Sequence, residues 1–304
     1  MANNKIALRF RAFGLGCHVV VHHESAQQLV DSAQQEFQRL EGKFDAFIED
    51  SVIGQINLQA GTGTYTELDA EARSLFSYAD VIYRESMGLF DPSTTFLHHL
   101  YAGKKQPAHT SYELQESLST VGWSELKIDD QGASLARGGM RIDLNDCVRA
   151  YAVDRVKKLL VKAGVAHALI DLDRDIATVG KQADGSNWLV GMRYPDSSRT
   201  AIERFKLNSK GYSIRGNFEH ALMIDGERFG RALSPVDGQP IPGLLGVGVI
   251  ADSCLTACSA TNIARFKTES TALKWLNNLG LPWVAIDRNL DFHGPLMQRV
   301  KAVG

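Results

Sequence analysis

The chain has 304 residues, 44% hydrophobic and 22% charged, with a formal net charge of −2. That composition can bury one substantial core or two modest lobes, so it excludes a disordered chain, and the absence of a Lys/Arg run interleaved with aromatics excludes a nucleic-acid partner. No apolar stretch reaches the roughly 18 residues that span a bilayer, and the opening MANNKIALRF lacks the apolar centre of a signal peptide, so a cytoplasmic protein is expected.

Cys17 to Val21 is β-branched and loosely alternating, which predicts a strand. Ala26, Leu29, Val30, Ala33, Phe37 and Leu40 then recur at helical spacing and form one apolar stripe. A second helix is expected from about Asp69 to Ser86, with Leu75, Ala79, Ile82 and Tyr83 on one face and Gly88 to stop it. After a looser stretch at Ala102 to Thr110, a short helix near Glu113 to Ser119 precedes a hairpin. Its strands, near Glu125 to Ile128 and Ser134 to Arg137, bracket the turn Asp129-Asp130-Gln131-Gly132. The third helix carries Val148, Ala152, Val156, Leu159, Leu160 and Ala163 on one face, with Gly164 at its cap.

From Ala166 the chain reads as strands: ALIDL, IATVG, WLVGMRY, IERFKL, GYSI, HALMI and ERFGRAL, divided by Gly, Asp, Ser and Pro turns. A buried strand at Leu245 to Ile250 precedes helices at Cys254 to Phe266 and Ser270 to Leu279, and a last strand runs from Trp283 to Ile286. Strands grouped together, with helices before and after, predict an α+β fold rather than a doubly wound α/β one. The four cysteines, Cys17, Cys147, Cys254 and Cys258, make no dense disulfide pattern and read as small buried thiols in a reducing compartment.

Residues 86–94, SMGLFDPST, resemble the Gly-x-Phe-Asp-Pro-Thr stretch of the FAD:protein FMN transferase family, the ApbE-type flavin transferases. FRAFGLGCHVVV, DSVIGQIN, RIDLNDCVRAYAVDRV, LIDLDRDIATVG, SIRGNFEH, FGRALSPVDGQPI and VIADSCLTACSATNIA are similar to further blocks of that family and stand in its order. Each block is weak alone, and their collinearity carries the resemblance. It implies an ApbE-like, T-fold-like architecture: antiparallel sheets with flanking helices and a cleft between lobes, in one domain over residues 1–304. It also implies FAD in the cleft, a divalent ion, usually Mg²⁺, on the pyrophosphate, and transfer of FMN to a Thr or Ser of an acceptor flavoprotein. Breaking a pyrophosphate requires its oxygens to be neutralised, which a hard cation with oxygen ligands does.

Carried over position by position, the resemblance puts Phe13 in the place of a Met that packs on the flavin and Phe47 in that of an aromatic lining the nucleotide. Leu89, Phe90 and Asp91 fall on the FAD-contacting tripeptide, Asp143 opens the phosphate loop, Arg149 replaces its Lys, and Leu233 of RALSPVDG falls at the cofactor. The implied metal position aligns with Cys258 and Asn262, one helical turn apart, and Asp146 is expected beside them. Departures are frequent. Asn145 and Asp146 replace a glycine pair, Asp173 and Arg174 replace another, Arg231 stands for the motif His, Ser234 for the motif Asp, and Asn217 for a carboxylate. Side chains in place of glycines are expected to crowd a phosphate, and a thiol is too soft for Mg²⁺.

The residues leave three readings open: a transferase whose activity is weakened or lost, a non-catalytic paralogue that binds flavin or a protein partner, and a repurposed anion site lined by Arg149, Arg174, Arg215 and Arg231. Other groups are weighed as ion sites. Cys254, Cys258 and Cys147 could hold a soft metal, although small core packing is commoner. His18 and His22 share a strand face, and His98 and His99 follow FDPST; both pairs read first as surface histidines. Asp171, Asp173 and Asp175 alternate along an extended segment and are expected on one face, where they would repel without a cation or Arg174.

Overall fold

The computed structural model describes residues 4–101, 110–193, 201–216 and 221–298. The looser stretch at 102–109 and the positions Asn217 and Phe218 lie outside them. An eight-stranded sheet organises the described residues, in the order Lys5–Ala12, Leu15–His22, His167–Leu172, Asp175–Val179, Gly211–Arg215, Gly246–Ala251, Trp283–Ile286 and Phe292–His293. Every neighbouring pair is antiparallel, as the α+β expectation requires.

Side-chain alternation sorts the strands onto two faces. Val19, Val21, Ala168, Ile170 and Ala177 point into a core with the Ala26–Phe44 and Asn145–Lys162 helices, where Val30, Phe37, Val148 and Val156 meet them. Val20, Ile176, Tyr212 and Val284 point the other way and are covered by the hairpin of Trp188–Arg193 with Ala201–Leu207, through Trp188, Val190 and Phe205. The Cys254–Arg265 helix lies on the helical face beside the Gly211–Arg215 strand. Gly211 permits that approach, since a Cβ there would stand 2.2 Å from the main-chain nitrogen of Cys254.

The helices fall where the periodicity puts them, at Ala26–Phe44, Ala70–Glu85, Ser111–Leu118, Asn145–Lys162, Cys254–Arg265 and Glu269–Asn278. Several elements escape the pattern, among them a strand and a short helix. The Lys5–Ala12 strand pairs along its whole length with Leu15–His22. The Val52–Leu58 helix is too short to show a period; buried Ser51 starts it, its Oγ accepting from the Gly54 nitrogen at 2.9 Å and donating to the Asp45 carbonyl at 2.6 Å.

Two expectations are corrected. ERFGRAL is a strand only over Glu227–Phe229; beyond it the chain turns into a loop closed by a bridge between Leu233 and Pro240, because Pro235 and Pro240 have no N–H to extend a ladder. Asp171, Asp173 and Asp175 do not share a face. Leu172 pairs with Asp175, so Asp173 (φ 42°) and Arg174 (φ 87°) are the two turn residues of a hairpin, and Asp171 and Asp175 sit on different strands. The glycines expected there would suit such a turn, and two larger residues hold it in a left-handed conformation. No helix among the described residues is long and apolar enough to cross a membrane.

Candidate functional site

Three distant stretches are tied together at one end of the Asn145–Lys162 helix. Asn57 clamps the chain just before it: its Nδ2 donates to the Ile142 carbonyl at 2.9 Å and its Oδ1 accepts from the Ile142 nitrogen at 2.7 Å. The next nitrogen, of Asp143, donates to the Pro92 carbonyl at 3.0 Å and so docks FDPST on the helix start. Within FDPST, buried Asp91 accepts from the Ser93 nitrogen at 2.8 Å, the Ser93 hydroxyl at 2.5 Å and the Trp123 nitrogen at 3.0 Å, which fixes the turn.

Asp146, in the first turn of the helix, is the centre of the site. Arg149 Nη2 donates to its Oδ1 at 2.6 Å, Arg265 Nη2 donates to its Oδ2 at 2.8 Å, and Arg215 Nε lies 3.8 Å from Oδ1. Burial raises the carboxyl's pKa, but Arg265, Arg215 and Arg149 outweigh that and hold it well below the usual carboxylate range. Arg215 is anchored from behind by Asp175, and Arg265 lies over the Phe266 ring at 4.8 Å.

Two hollows open on either side of this cluster. One, of about 200 Å³, is walled by Arg149, Arg174, Arg215, Arg231 and Arg265 together with Asp146, Asp173 and Asp175. The other, of about 190 Å³, is walled by Phe90, Asp91, Thr94, His98, Asp143 and Phe266, with Asp146, Arg149 and Arg265 again. The three shared residues form the partition, so a nucleotide-sized ligand would have to occupy both. A larger hollow of about 610 Å³ lies at the Phe292–His293 edge of the sheet, between Leu273 and Leu296, and none of its lining residues is an acid, Lys or Arg.

Asp143, also in the wall of the second hollow, is displaced in the opposite direction to Asp146: burial pushes its pKa up to about 6, against the pull of the Asn145 nitrogen it accepts from at 2.8 Å. His98, on the 3₁₀ turn Thr94–Tyr101 and partly open to solvent, lines the same hollow. Burial and then Arg265 push the imidazole below its ordinary value, while Asp146 and the Arg231 main chain pull the other way, so the ring is neutral at pH 7.

Of the residues singled out from sequence, Phe90, Asp91, Asp143, Asp146 and Arg149 wall the second hollow. Leu89 is half-buried against the core beside them. Phe13 sits at the tip of the first hairpin with a positive φ of 53° and is buried in the core, and Leu233 is buried among Leu97, Leu100 and Leu222; neither lines either hollow. Phe47 is 69% exposed, with its ring 6.1 Å from that of Phe96. All four arginines of the anion reading wall the first hollow, and sequence reasoning missed a fifth, Arg265. Helical spacing could have found it, since it lies seven residues beyond Cys258 on the same stripe.

Cys258 and Asn262 are buried behind Asp146 and fit a hard cation poorly. Burial pushes the Cys258 thiol up to about 12; it donates to the Asp146 carbonyl at 2.9 Å and accepts from Arg215 Nη2 at 3.0 Å. Both Asp146 oxygens are engaged by arginines, which leaves the buried, unpartnered Oδ1 of Asn262 as the free oxygen of the set. One neutral oxygen, a protonated thiol and a carboxylate ringed by guanidinium groups are not an Mg²⁺ site. Cys17, Cys147 and Cys254 are likewise free and buried, and among the described residues no three His, Cys, Asp or Glu side chains are grouped to hold a metal.

A family model described as the ApbE family matches residues 13–284. A FAD:protein FMN transferase of Salmonella typhimurium is 26% identical over 161 residues, covering 50% of this chain and 46% of that protein. One of Haemophilus influenzae is 23% identical over 228 residues, covering 71% of this chain and 65% of that protein, so the matched stretch is under two thirds of either relative. Among solved structures, an ApbE protein of Thermotoga maritima superposes with a TM-score of 0.83 at 22% identity, covering 98% of this chain and 99% of that one. A flavin transferase ApbE of Vibrio cholerae does so at 0.83 and 17% identity, covering 96% of each.

Proposed function

Because the chain belongs to the ApbE family, we propose that it binds FAD across the two hollows and transfers FMN to a hydroxyl of an acceptor flavoprotein. One observation carries the reading: Phe90 to Thr94, Asp143 to Arg149 and Arg231 to Ala232, far apart in sequence, wall two adjoining hollows around one cluster of guanidinium groups. The pyrophosphate lies against Arg149 and Arg265 at the partition, and the two halves of the dinucleotide extend into the two hollows. Phe47, exposed and paired with the half-buried Phe96, offers aromatic surface to a ring of the ligand.

In the reaction, the acceptor's hydroxyl oxygen attacks the phosphorus of the FMN half. The bond from that phosphorus to the bridging oxygen breaks, AMP leaves with the bridging oxygen, and the hydroxyl proton passes to a base. The hollow supplies two bases at neutral pH, the imidazole of His98 and the carboxylate of Asp143. Arginines on the departing phosphate stabilise the developing charge. The four buried thiols suit a reducing, cytoplasmic setting.

The test is incubation of the protein with FAD and a flavinylation-motif peptide, with and without Mg²⁺. The expected result is a peptide heavier by the FMN moiety and an equal amount of AMP. A second reading, favoured by the loss of both glycine pairs and of the motif His, is a protein that holds the dinucleotide without cutting it; bound FAD with neither product would establish that reading instead.

A further inference from the structure

The resemblance puts a divalent cation on the pyrophosphate, and the residues present do not fit one. What they offer instead is positive charge of their own. The first hollow is walled by five arginines against three aspartates, an excess of two positive charges on its side of the partition, while the two further aspartates, Asp91 and Asp143, stand on the other side. A divalent cation added to that excess would be repelled, whereas a diphosphate would be drawn in.

The donors needed to bind a diphosphate are in place. Arg149 spends Nε on the Asn145 carbonyl and one bond of Nη2 on Asp146, so the rest of its fork faces the hollows. Arg265 and Arg215 each keep a buried Nε with no hydrogen-bond partner among the described residues, and Arg215 is 6% exposed. Planar forks of this kind match phosphate oxygens in pairs.

Resting on the FAD reading above, we propose that guanidinium groups led by Arg149 and Arg265 supply all the charge neutralisation for the bound diphosphate, and that the site neither needs nor recruits a divalent cation. Asp146 is the stand-in that keeps the forks aimed before the ligand arrives. Each of its oxygens holds one arginine, and phosphate oxygens then share those donors.

The experiment is calorimetric titration of the intact protein with FAD, ADP and inorganic pyrophosphate, each in EDTA and in excess Mg²⁺. Dissociation constants in the two buffers are expected to agree to within about twofold. Arg265→Gln is expected to weaken binding in EDTA by about tenfold or more, with partial recovery in Arg265→Lys. Arg149→Gln, at a more exposed position, gives the same readout if the first variant does not fold. Asp146→Asn is expected to bind at least as tightly as the parent chain in excess Mg²⁺ as well as in EDTA, whereas the loss of a metal ligand would weaken binding in Mg²⁺.

Binding that disappears in EDTA and returns with Mg²⁺ overturns the inference and leaves the FAD reading standing. Pyrophosphate and ADP binding in EDTA without FAD binding does the reverse. No binding of any of the three in either buffer removes both.

Discussion

Asp175 and Arg215 meet fork to fork, each terminal guanidinium nitrogen lying 2.9 Å from a different carboxylate oxygen. The pair crosses from one central strand to its neighbour, beneath the floor of the first hollow, with side chains only 2% and 7% exposed. Ser213 adds a hydroxyl to the same carboxylate at 2.6 Å. Removing one partner leaves the other charge buried. Asp175→Asn is therefore expected to lower the unfolding free energy by about 3 kcal/mol, read from urea denaturation. An unchanged midpoint would mean that Asp146 alone satisfies Arg215.

Asn57 holds both main-chain groups of Ile142, one residue before Asp143. Asn57→Ala strips that clamp and leaves two main-chain groups to find other partners, at a cost of about 1–3 kcal/mol. It also frees the helix start, so FAD affinity is expected to fall with it in a flavin-fluorescence titration. Asn57→Asp keeps the acceptor and loses the donor, and its stability is expected between the other two.

Asp143 links the site to pH. Its folded pKa of about 6 stands above its ordinary 3.8, so between those values the folded chain binds more protons than the unfolded one. Its contribution to stability is complete below the ordinary value and is lost as pH rises through about 6. Thermal midpoints across that window are expected to show a shallower decline in Asp143→Asn; the slope that remains comes in part from Asp171, also pushed up to about 6 by burial. Anion affinity is expected to improve on acidification through the same window, as a negative charge leaves the hollow, and to do so less in Asp143→Asn. His98, whose pKa burial lowers from its usual value, adds its own gain on protonation.

Gly216 has a φ of 95°, and a Cβ there would lie 2.3 Å from the Leu245 carbonyl oxygen. Its own carbonyl accepts from Arg174 Nη1 at 2.9 Å. Gly216→Ala must move main chain against main chain, so a loss of about 2 kcal/mol or more is expected. A thermal midpoint within a degree or so of the parent chain would contradict the close approach.

Much of the frame was legible before any coordinates. The stripe from Ala26 to Leu40 and the one from Val148 to Ala163 are long enough for helical period to exceed chance; the first buries as read, and the second does so except that Leu159 is half-buried and Ala163 is exposed. The seven-residue helix at Val52–Leu58 was not legible as a helix, because it shows too few turns; only the resemblance marked it, and Ser51 and Asn57 turn out to be its cap and its clamp. The alternation of Asp171, Asp173 and Asp175 misled, because a two-residue hairpin turn interrupts it and alternation alone does not register a reversal of direction.

By itself the sequence determined the α+β class, most helix positions and the family, since these depend on local periodicity and on the order of short blocks along the chain. It also named four of the arginines. Only the tertiary structure decided that those four share a wall with Arg265, that Asp146 is held between Arg149 and Arg265, and that Phe13 and Leu233 are core residues outside the hollows. The physical reason is that charge neutralisation is a sum over neighbours in space. Asp146 and Arg265 stand 119 positions apart in the chain and 2.8 Å apart in the fold, and no pattern along the sequence carries that distance.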